Sequence, residues 1–353
     1  MDLRFLTNFS HDLALSHNGA CYTPPPNVRI MERDLAALAD YFTPTGEVSY
    51  NPYAPVWGWD RTLVGKLKTC GFSNLPSPEQ LEMIRRLSSR ETAVKVLGLL
   101  TTSLPKSFPL CGESTVCYSK DGLCLPGKRI VWKELWSGSG RGLRFVNGIP
   151  TVQQLNWALR CIERQGGLVV EPFYNKIQDF ALEFIVTETA VEFCGLSVFH
   201  TTAGNAYAGN LLMPQRRLWK TMGAFFSYDL YRELISALVT VLAEVFLGRY
   251  VGPLGVDMMV VNDSGELAVH PCVEINVRRT MGMLSLRLSE LVCERRKAEF
   301  RLVYCKNSEE LSAMCGGMPK PVFNVAGKLT DGVMRLTPLR SNTHFLAIIE
   351  IVA

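Results

Sequence analysis

The strongest constraint on the fold lies late in the chain. Residues 255–261 and 267–276 are runs of alternating apolar side chains on either side of Asn262-Asp263-Ser264-Gly265. Alternation at period two marks a strand with one buried face, and a Gly-containing polar turn between two such runs predicts an antiparallel hairpin. The pattern also fixes where the polar residues point. In Val273-Glu274-Ile275-Asn276-Val277-Arg278, Glu274 and Asn276 are two apart and project from one strand face. Val273, Ile275 and Val277 face the other way, toward a core. Asp257, in Gly255-Val256-Asp257, sits on the partner strand and can join them. Two carboxylates and an amide oxygen form a hard oxygen set suited to Mg²⁺, which keeps waters and phosphate oxygens as further ligands. Arg278 continues the same parity, where a cation can neutralise charge on a transferring phosphoryl group. The competing reading of the segment is an exposed polar strand face.

Two earlier segments carry related chemistry. Arg129 to Glu134 predicts a strand presenting one lysine, and Leu135-Trp136-Ser137-Gly138-Ser139-Gly140-Arg141-Gly142 follows at once. Glycines let backbone N–H groups converge on phosphate oxygens without Cβ obstruction. Ser137 and Ser139 add hydroxyl donors, and Lys133 and Arg141 add positive charge. The lysine precedes the loop, so this is not the GxxxxGK[ST] phosphate loop, and GSGRG is not GxGxxG. A flexible hairpin is the alternative. In the second segment an apolar strand, Leu168-Val169-Val170-Glu171, is broken at Pro172 and followed by Phe173, with Asp179 eight residues after Glu171. Backbone at such a strand end can read an adenine edge, and a carboxylate accepts hydrogen bonds from ribose hydroxyls. Two ordinary surface acids are the alternative here.

The remaining organisation is α/β. Helices are expected over 31–41, 61–70, 79–87, 90–100, 152–164, 230–247 and 283–297. Strands are expected over 3–9, 181–186, 191–199, 322–325 and 345–352. His11 and Asp12 follow the first of these, a plausible ligand edge. Trp57, Trp59 and Asp60 read as packing, and His200, Thr201, Thr202 and Asn205 either as a polar loop or as part of an acceptor pocket. The net charge is only +4, from 37 Lys and Arg against 33 Asp and Glu, and no long basic block occurs. That argues against a nucleic-acid partner. The most apolar helical stretch, 230–250, contains Arg232, Glu233, Glu244 and Arg249, too polar for a membrane span. Eleven scattered cysteines with no CxxC pair read as free thiols, and the chain as cytoplasmic.

Taken in order, Lys133 with the Ser137, Gly138, Ser139, Gly140, Arg141 and Gly142 loop, the Glu171–Phe173 strand end, Asp179, and Asp257 with Glu274, Asn276 and Arg278 resemble the ATP-grasp superfamily over roughly residues 90–282. The resemblance implies two lobes clasping ATP, preceded by a small α/β unit. It divides the chain into 1–92 as that unit, 93–170 as the small lobe and 171–353 as the large lobe with a C-terminal extension. It implies that Lys133 and the loop hold the triphosphate, Glu171 and Phe173 the adenine, and Asp179 the ribose. It implies that Asp257, Glu274 and Asn276 hold Mg²⁺, with Mn²⁺ as a substitute, and that Lys133 and Arg278 are catalytic. The implied activity is a carboxylate–amine ligase acting on small molecules, with a non-catalytic nucleotide binder and a phosphotransferase as rivals. A homodimer is compatible with it. Three departures stand out. Glu134 stands where Pro is usual, no Lys adjoins Glu171, and the seventeen-residue gap from Asp257 to Glu274 is long. Arg90 is a candidate replacement for the family's first nucleotide-contacting lysine.

Overall fold

The computed structural model describes residues 6–42, 56–125, 128–138, 142–202, 207–263 and 265–352. Two antiparallel sheets dominate. The smaller has the order β1 (Thr115–Cys117), β4 (Leu168–Pro172), β2 (Ile130–Glu134), β3 (Leu143–Val146). The larger is built on β5 (Lys176–Val186), β6 (Val191–Thr201), β7 (Tyr207–Leu212), β8 (Gly252–Asp263), β9 (Glu266–Asn276) and β10 (Lys297–Tyr304). A short pair, β11 (Val322–Phe323) with β12 (Leu329–Asp331), stands apart. The last strands, β13 (Val333–Arg335) and β14 (Phe345–Val352), complete the larger sheet in the order β13-β14-β10-β7-β6-β5-β8-β9.

Period-two alternation decides which face each side chain takes. In β5, Phe180, Leu182 and Phe184 are fully buried in the main core, as are Val256, Met258 and Val260 of β8 and Ile275 of β9. The opposite parity therefore carries Asp179, Ala181 and Glu183 on β5, Gly255 and Asp257 on β8, and Glu274 and Asn276 on β9. In the small sheet, Ile130, Trp132, Leu168 and Val170 bury against α6 (Val152–Gln165). Lys133 on β2 and Glu171 on β4 thus share the other face. The expected hairpin is present. Asp257 pairs in register with Glu274 and Gly255 with Asn276, and Gly265, at φ 97°, donates its N–H to the Asn262 side chain at 2.9 Å.

The N-terminal expectation changes. Residues 1–5 lie outside the described residues, and 6–9 form no strand. The described residues from 6 to 89 are helical and connecting only: α1 (His11–His17), α2 (Pro26–Asp34), a 3₁₀ turn (Ala36–Tyr41), α3 (Arg61–Thr69) and α4 (Pro78–Leu87). Leu6, Trp59, Leu63 and Leu81 join the core that holds Phe180 and Val256, and Leu35 and Leu38 join one with Leu212, Leu284 and Phe300. The helix expected over 31–41 is two pieces broken at Leu35. α5 (Arg90–Ser103) likewise contributes Val96, Leu97 and Leu100 to the core of the large sheet. The helix expected over 283–297 also ends early. α9 (Met281–Ser289) stops before the charged run Glu294-Arg295-Arg296-Lys297, and Lys297 opens β10, where Ala298 and Phe300 alternate inward. The sequence reading missed β7, β10, α7 (Gln215–Met222) and α10 (Ser308–Gly316). α8 (Tyr228–Phe246) covers the main core, and among the described residues no helix is long and apolar enough to cross a membrane. All eleven cysteines are free.

Two helix caps separate local from tertiary stabilisation. Asp60 caps α3 by accepting from Leu63 N at 2.8 Å, and the same buried carboxylate accepts from Asn8 Nδ2 at 2.8 Å. Ser77 caps α4 at an exposed site through a capping box with Gln80. Ser77→Ala should cost about 1 kcal/mol. Asp60→Ala should cost roughly 2–3 kcal/mol, since the Asn8 amide loses a partner in the interior. Urea unfolding of both variants checks this, and equal losses would show that the Asn8 contact contributes nothing.

Candidate active site

β2 and β4 place Lys133 and Glu171 side by side. Lys133 Nζ lies 2.5 Å from Glu171 Oε2, and both side chains are almost fully buried. Ser114 donates to the other Glu171 oxygen at 2.8 Å. Burial alone would raise the Glu171 carboxyl, but the Lys133 ammonium and the hydrogen bonds outweigh it and hold the carboxyl below its ordinary range. His270 of β9 stands near this pair. Its ring is buried, neither ring nitrogen has a hydrogen-bond partner among the described residues, and burial pulls its pKa down to about 4. The ring meets Tyr174 edge-on at 5.5 Å. Phe173, just past β4, is partly exposed, with the Arg129 guanidinium 4.2 Å from its ring centre.

Arg90, the first residue of α5, ties this sheet to the larger one. Its Nη1 donates to Glu134 O at 2.5 Å and to Ser137 Oγ at 2.8 Å. Its Nη2 donates to Glu274 Oε1 at 2.8 Å. Asn276 Nδ2 donates to Asp257 Oδ2 at 3.0 Å, which leaves the Asn276 amide oxygen available as an acceptor. Glu183 of β5 faces the same region. It is fully buried and accepts from Thr280 Oγ1 at 2.7 Å and Ser197 Oγ at 3.0 Å. Gly255 and Gly282 make room for it, since a Cβ on either would meet a Glu183 oxygen at 2.8 Å and 1.9 Å. Burial pushes the Glu183 pKa up to about 7. Asp257 rises to about 8, first through burial and then through the charges of Glu274 and Glu183. Among the described residues no three His, Cys, Asp or Glu side chains form a metal cluster. Asp257 and Glu274 are register partners and Asn276 bonds Asp257, so the three share one sheet face, and such an oxygen set would suit a hard divalent cation that keeps water and phosphate ligands.

Arg278 is held from the N-terminal segment. Its Nε and Nη2 donate to Asp12 Oδ1 and Oδ2 at 3.0 and 2.8 Å. Burial would raise the Asp12 carboxyl, but Arg278 and then His11 drive it well below the usual carboxylate range. Gly138 lies against Asp12, where an added Cβ would be 2.9 Å from Oδ2. Ser137 is buried, and Gly142 has φ 69°, so the ends of the glycine-rich segment are fixed. Ser139, Gly140, Arg141 and Asn205 lie outside the described residues. Asp179 shares the Glu183 face of β5 but is engaged by Lys176 at 2.5 Å, and Thr201 donates to it at 3.4 Å. Trp59 and Asp60 are buried, in keeping with the packing role read from the sequence, and Asp60 also caps α3. The sequence reading singled out neither Glu183 nor His270. The available signal was a charged or polar residue at the polar parity of an otherwise apolar run, Phe180-Ala181-Leu182-Glu183-Phe184 and Val269-His270-Pro271-Cys272.

No protein-family model and no curated protein matches the sequence. Solved structures do resemble it. N5-carboxyaminoimidazole synthetase from Staphylococcus aureus with ADP has a TM-score of 0.47 at 14% identity, over 80% of this chain and 72% of that one. Biotin carboxylase from Campylobacter jejuni with an ATP analogue has a TM-score of 0.45 at 12% identity, over 81% and 67%. An ATP-grasp superfamily protein from Archaeoglobus fulgidus has 0.39 at 13%, over 76% and 66%. The described residues form the mixed α/β fold class expected from the sequence, with two antiparallel sheets that set Lys133 against Glu171 and pair Asp257 in register with Glu274.

The carboxylate crowding predicts a pH dependence. Asp257 is raised from 3.8 to about 8 in the folded state, so the native protein binds more protons than the unfolded chain between these values. Stability of the metal-free protein should therefore fall as pH rises through that window. Asp257→Asn should melt above the wild type at pH 8, with the gap closing near pH 4. Thermal melts across this range check it, and parallel profiles for the two proteins would refute the raised carboxyl.

Proposed function

We propose that this protein is a Mg²⁺-dependent, ATP-consuming ligase that activates a carboxylate as an acylphosphate for attack by an amine or similar nucleophile. The observation that carries the reading is the Arg90 guanidinium. It joins the strand end of Lys133 and Ser137 to Glu274 of the hard oxygen set, so that cations and metal-type ligands meet in one cleft. Phosphoryl transfer needs chiefly positioning and charge stabilisation, and this is what the cleft contains. Likeness to solved ATP-grasp structures agrees with the fold but leaves the reaction to the site.

In this reading Lys133 binds phosphate oxygens, leaving Glu171, whose strand end lies where an adenine edge would be read. Asp179 accepts from ribose hydroxyls, exchanging its Lys176 contact. Asp257, Glu274 and Asn276 would hold Mg²⁺ or Mn²⁺, which would supply positive charge against the phosphates. Arg278, aimed by Asp12, stabilises charge on the phosphoryl group in transfer. A substrate carboxylate oxygen forms a bond to the terminal phosphorus as the bond to ADP breaks. The amine then forms a C–N bond as phosphate leaves. Ser137, Gly138 and the rest of the glycine-rich segment donate to phosphate and keep water away.

Glu274→Gln tests the assignment because the amide oxygen preserves the acceptor for Arg90 while one negative charge is lost. Nucleotide binding without Mg²⁺ should change little. Mg²⁺-dependent ADP release with a panel of amino acids, dipeptides and hydroxy acids should fall about a hundredfold. ADP release at the wild-type rate would remove Glu274 from the metal set. Lys133→Ala should weaken ATP binding about tenfold or more. Titration by calorimetry reads this directly, and unchanged affinity in a folded variant would take Lys133 out of the nucleotide site. Mass spectrometry of the wild-type product separates an amide from a phosphorylated acceptor.

A further inference from the structure

His270 is fully buried on β9, and neither ring nitrogen has a hydrogen-bond partner among the described residues. A neutral imidazole carries one N–H donor and one acceptor, and leaving both unmade in the interior is costly. The ring is enclosed together with Glu171. Cys111 N donates to Val269 O at 2.9 Å and Val269 N to Pro109 O at 2.8 Å, which lays residues 109–111 along β9. Gly112, at φ 119°, comes so near that a Cβ would stand 3.1 Å from His270 Nε2. Ser114, two residues on, donates to Glu171 Oε1 at 2.8 Å. Tyr174, three residues past Glu171, meets the His270 ring edge-on at 5.5 Å, and its hydroxyl accepts from Glu113 N at 2.8 Å. One segment and one aromatic ring thus close over His270 and over the Lys133–Glu171 pair.

Two charges act on the ring in opposite senses. Burial, the largest cause, and the Lys133 ammonium keep it neutral, while the Glu171 carboxylate favours a proton on it. The other titratable groups of the enclosing elements are Tyr174, Cys111, Glu113 and, on β9 itself, Cys272. Burial raises Tyr174 and Cys272, so both stay uncharged at neutral pH. Glu113 is exposed and pairs with Lys128 at 2.9 Å. On β8 the register partner of His270 is Met259. Of the charged residues of α5, Arg90 donates to Glu274, Glu91 accepts from Tyr118, and Lys95 is exposed. The state of the ring therefore follows the Lys133–Glu171 pair. If Lys133 leaves for a phosphate, Glu171 becomes a buried carboxylate with the Ser114 hydroxyl as its remaining donor, and the charge that opposed a proton on His270 is gone. Both changes favour an imidazolium, which has two N–H donors and restores the lost positive charge.

We propose that His270 is the replacement partner of Glu171: when a nucleotide draws Lys133 away, the ring takes up one proton and pairs with the carboxylate that the ammonium has left. The proton comes from the solvent. An N–H bond forms on the bare ring nitrogen, the conjugate base of the buffer is left behind, and no other covalent bond changes. His270 is in this sense a positioning residue, which touches no phosphate but frees Lys133 to do so. The inference rests on the nucleotide reading above.

Calorimetric titration of the full chain with ADP, without Mg²⁺, tests this in Tris and in PIPES, whose ionisation heats differ. The difference between the two buffers gives the number of protons exchanged. His270→Gln keeps a donor and an acceptor but does not titrate. Near neutral pH the wild type should take up about one proton more per ADP than this variant. Because the proton is bound only in the complex, the ratio of wild-type to variant affinity should fall about tenfold for each unit of rising pH. A side chain that merely filled space would move neither quantity. ADP binding with equal proton counts for the two proteins overturns the proposal and leaves the nucleotide reading standing. No ADP binding by the wild type removes the nucleotide reading and this inference with it. The imidazole nitrogen resonances of the five histidines in the wild type give an answer even if the variant does not fold. One ring should change from neutral to imidazolium as ADP is added, and no change in any ring overturns the proposal.

Discussion

The Arg90 guanidinium is the interaction on which the site depends. It is buried at the start of α5, and it donates to a backbone carbonyl and a hydroxyl of the small sheet's loop and to a carboxylate of the large sheet. Its Nε is buried without a hydrogen-bond partner among the described residues. The desolvation cost of such a cation is offset only if its other contacts hold. The same contacts fix the distance between the two sheets, because α5 itself packs its apolar side into the large-sheet core. A planar fork with several donors can bind three acceptors at once, which a lysine ammonium on a flexible stem would do with less geometric definition.

Around this anchor the electrostatics are unbalanced in a particular way. Asp257, Glu274 and Glu183 crowd one sheet face, and two of the three are pushed toward the protonated form. Glycines at 255 and 282 admit the Glu183 carboxylate where any side chain would collide with it. A hydrophobic residue at 183 would fold at lower electrostatic cost, so the crowding is not explained by stability. A divalent cation at the Asp257–Glu274–Asn276 set would offset it, releasing the proton from Asp257 as it bound.

The sequence made legible what depends on strand parity. Lys133, Glu171, Asp257, Glu274 and Asn276 each stand at the polar parity of an apolar run, and the structure sets each on the face that parity implies. What it left illegible depends on contacts between distant segments. Asp12 meets Arg278 across 266 residues, and nothing local at either position specifies the other. The described N-terminal helices pack their apolar side chains into the cores that hold Phe180 and Phe300, so their arrangement follows from the large-sheet surface they cover and not from their own alternation of apolar segments and turns. The end of α9 was missed because residues 283–297 satisfy a helical period in their first half. The charged run that follows ends the apolar stripe without a glycine or proline to mark it.

Each cation of the candidate cleft already has an anionic partner: Lys133 with Glu171, Arg90 with Glu274, Arg278 with Asp12. Such pairing keeps buried charges compensated in the ligand-free protein, which isolated cations in the same positions would not achieve. It also sets a condition on any anionic ligand, which must compete with fixed carboxylates. A triphosphate can do so because it carries several charges and arrives with a cation for the carboxylates it displaces. Glu274 would exchange part of its Arg90 contact for the metal while Lys133 exchanges Glu171 for phosphate, so the ion pairs rearrange as a set. His270 lies near the Lys133–Glu171 pair, and its buried ring nitrogens have no hydrogen-bond partner among the described residues. Under the proposed function, metal and nucleotide would favour each other's binding, since each would compensate the charges that the other uncovers.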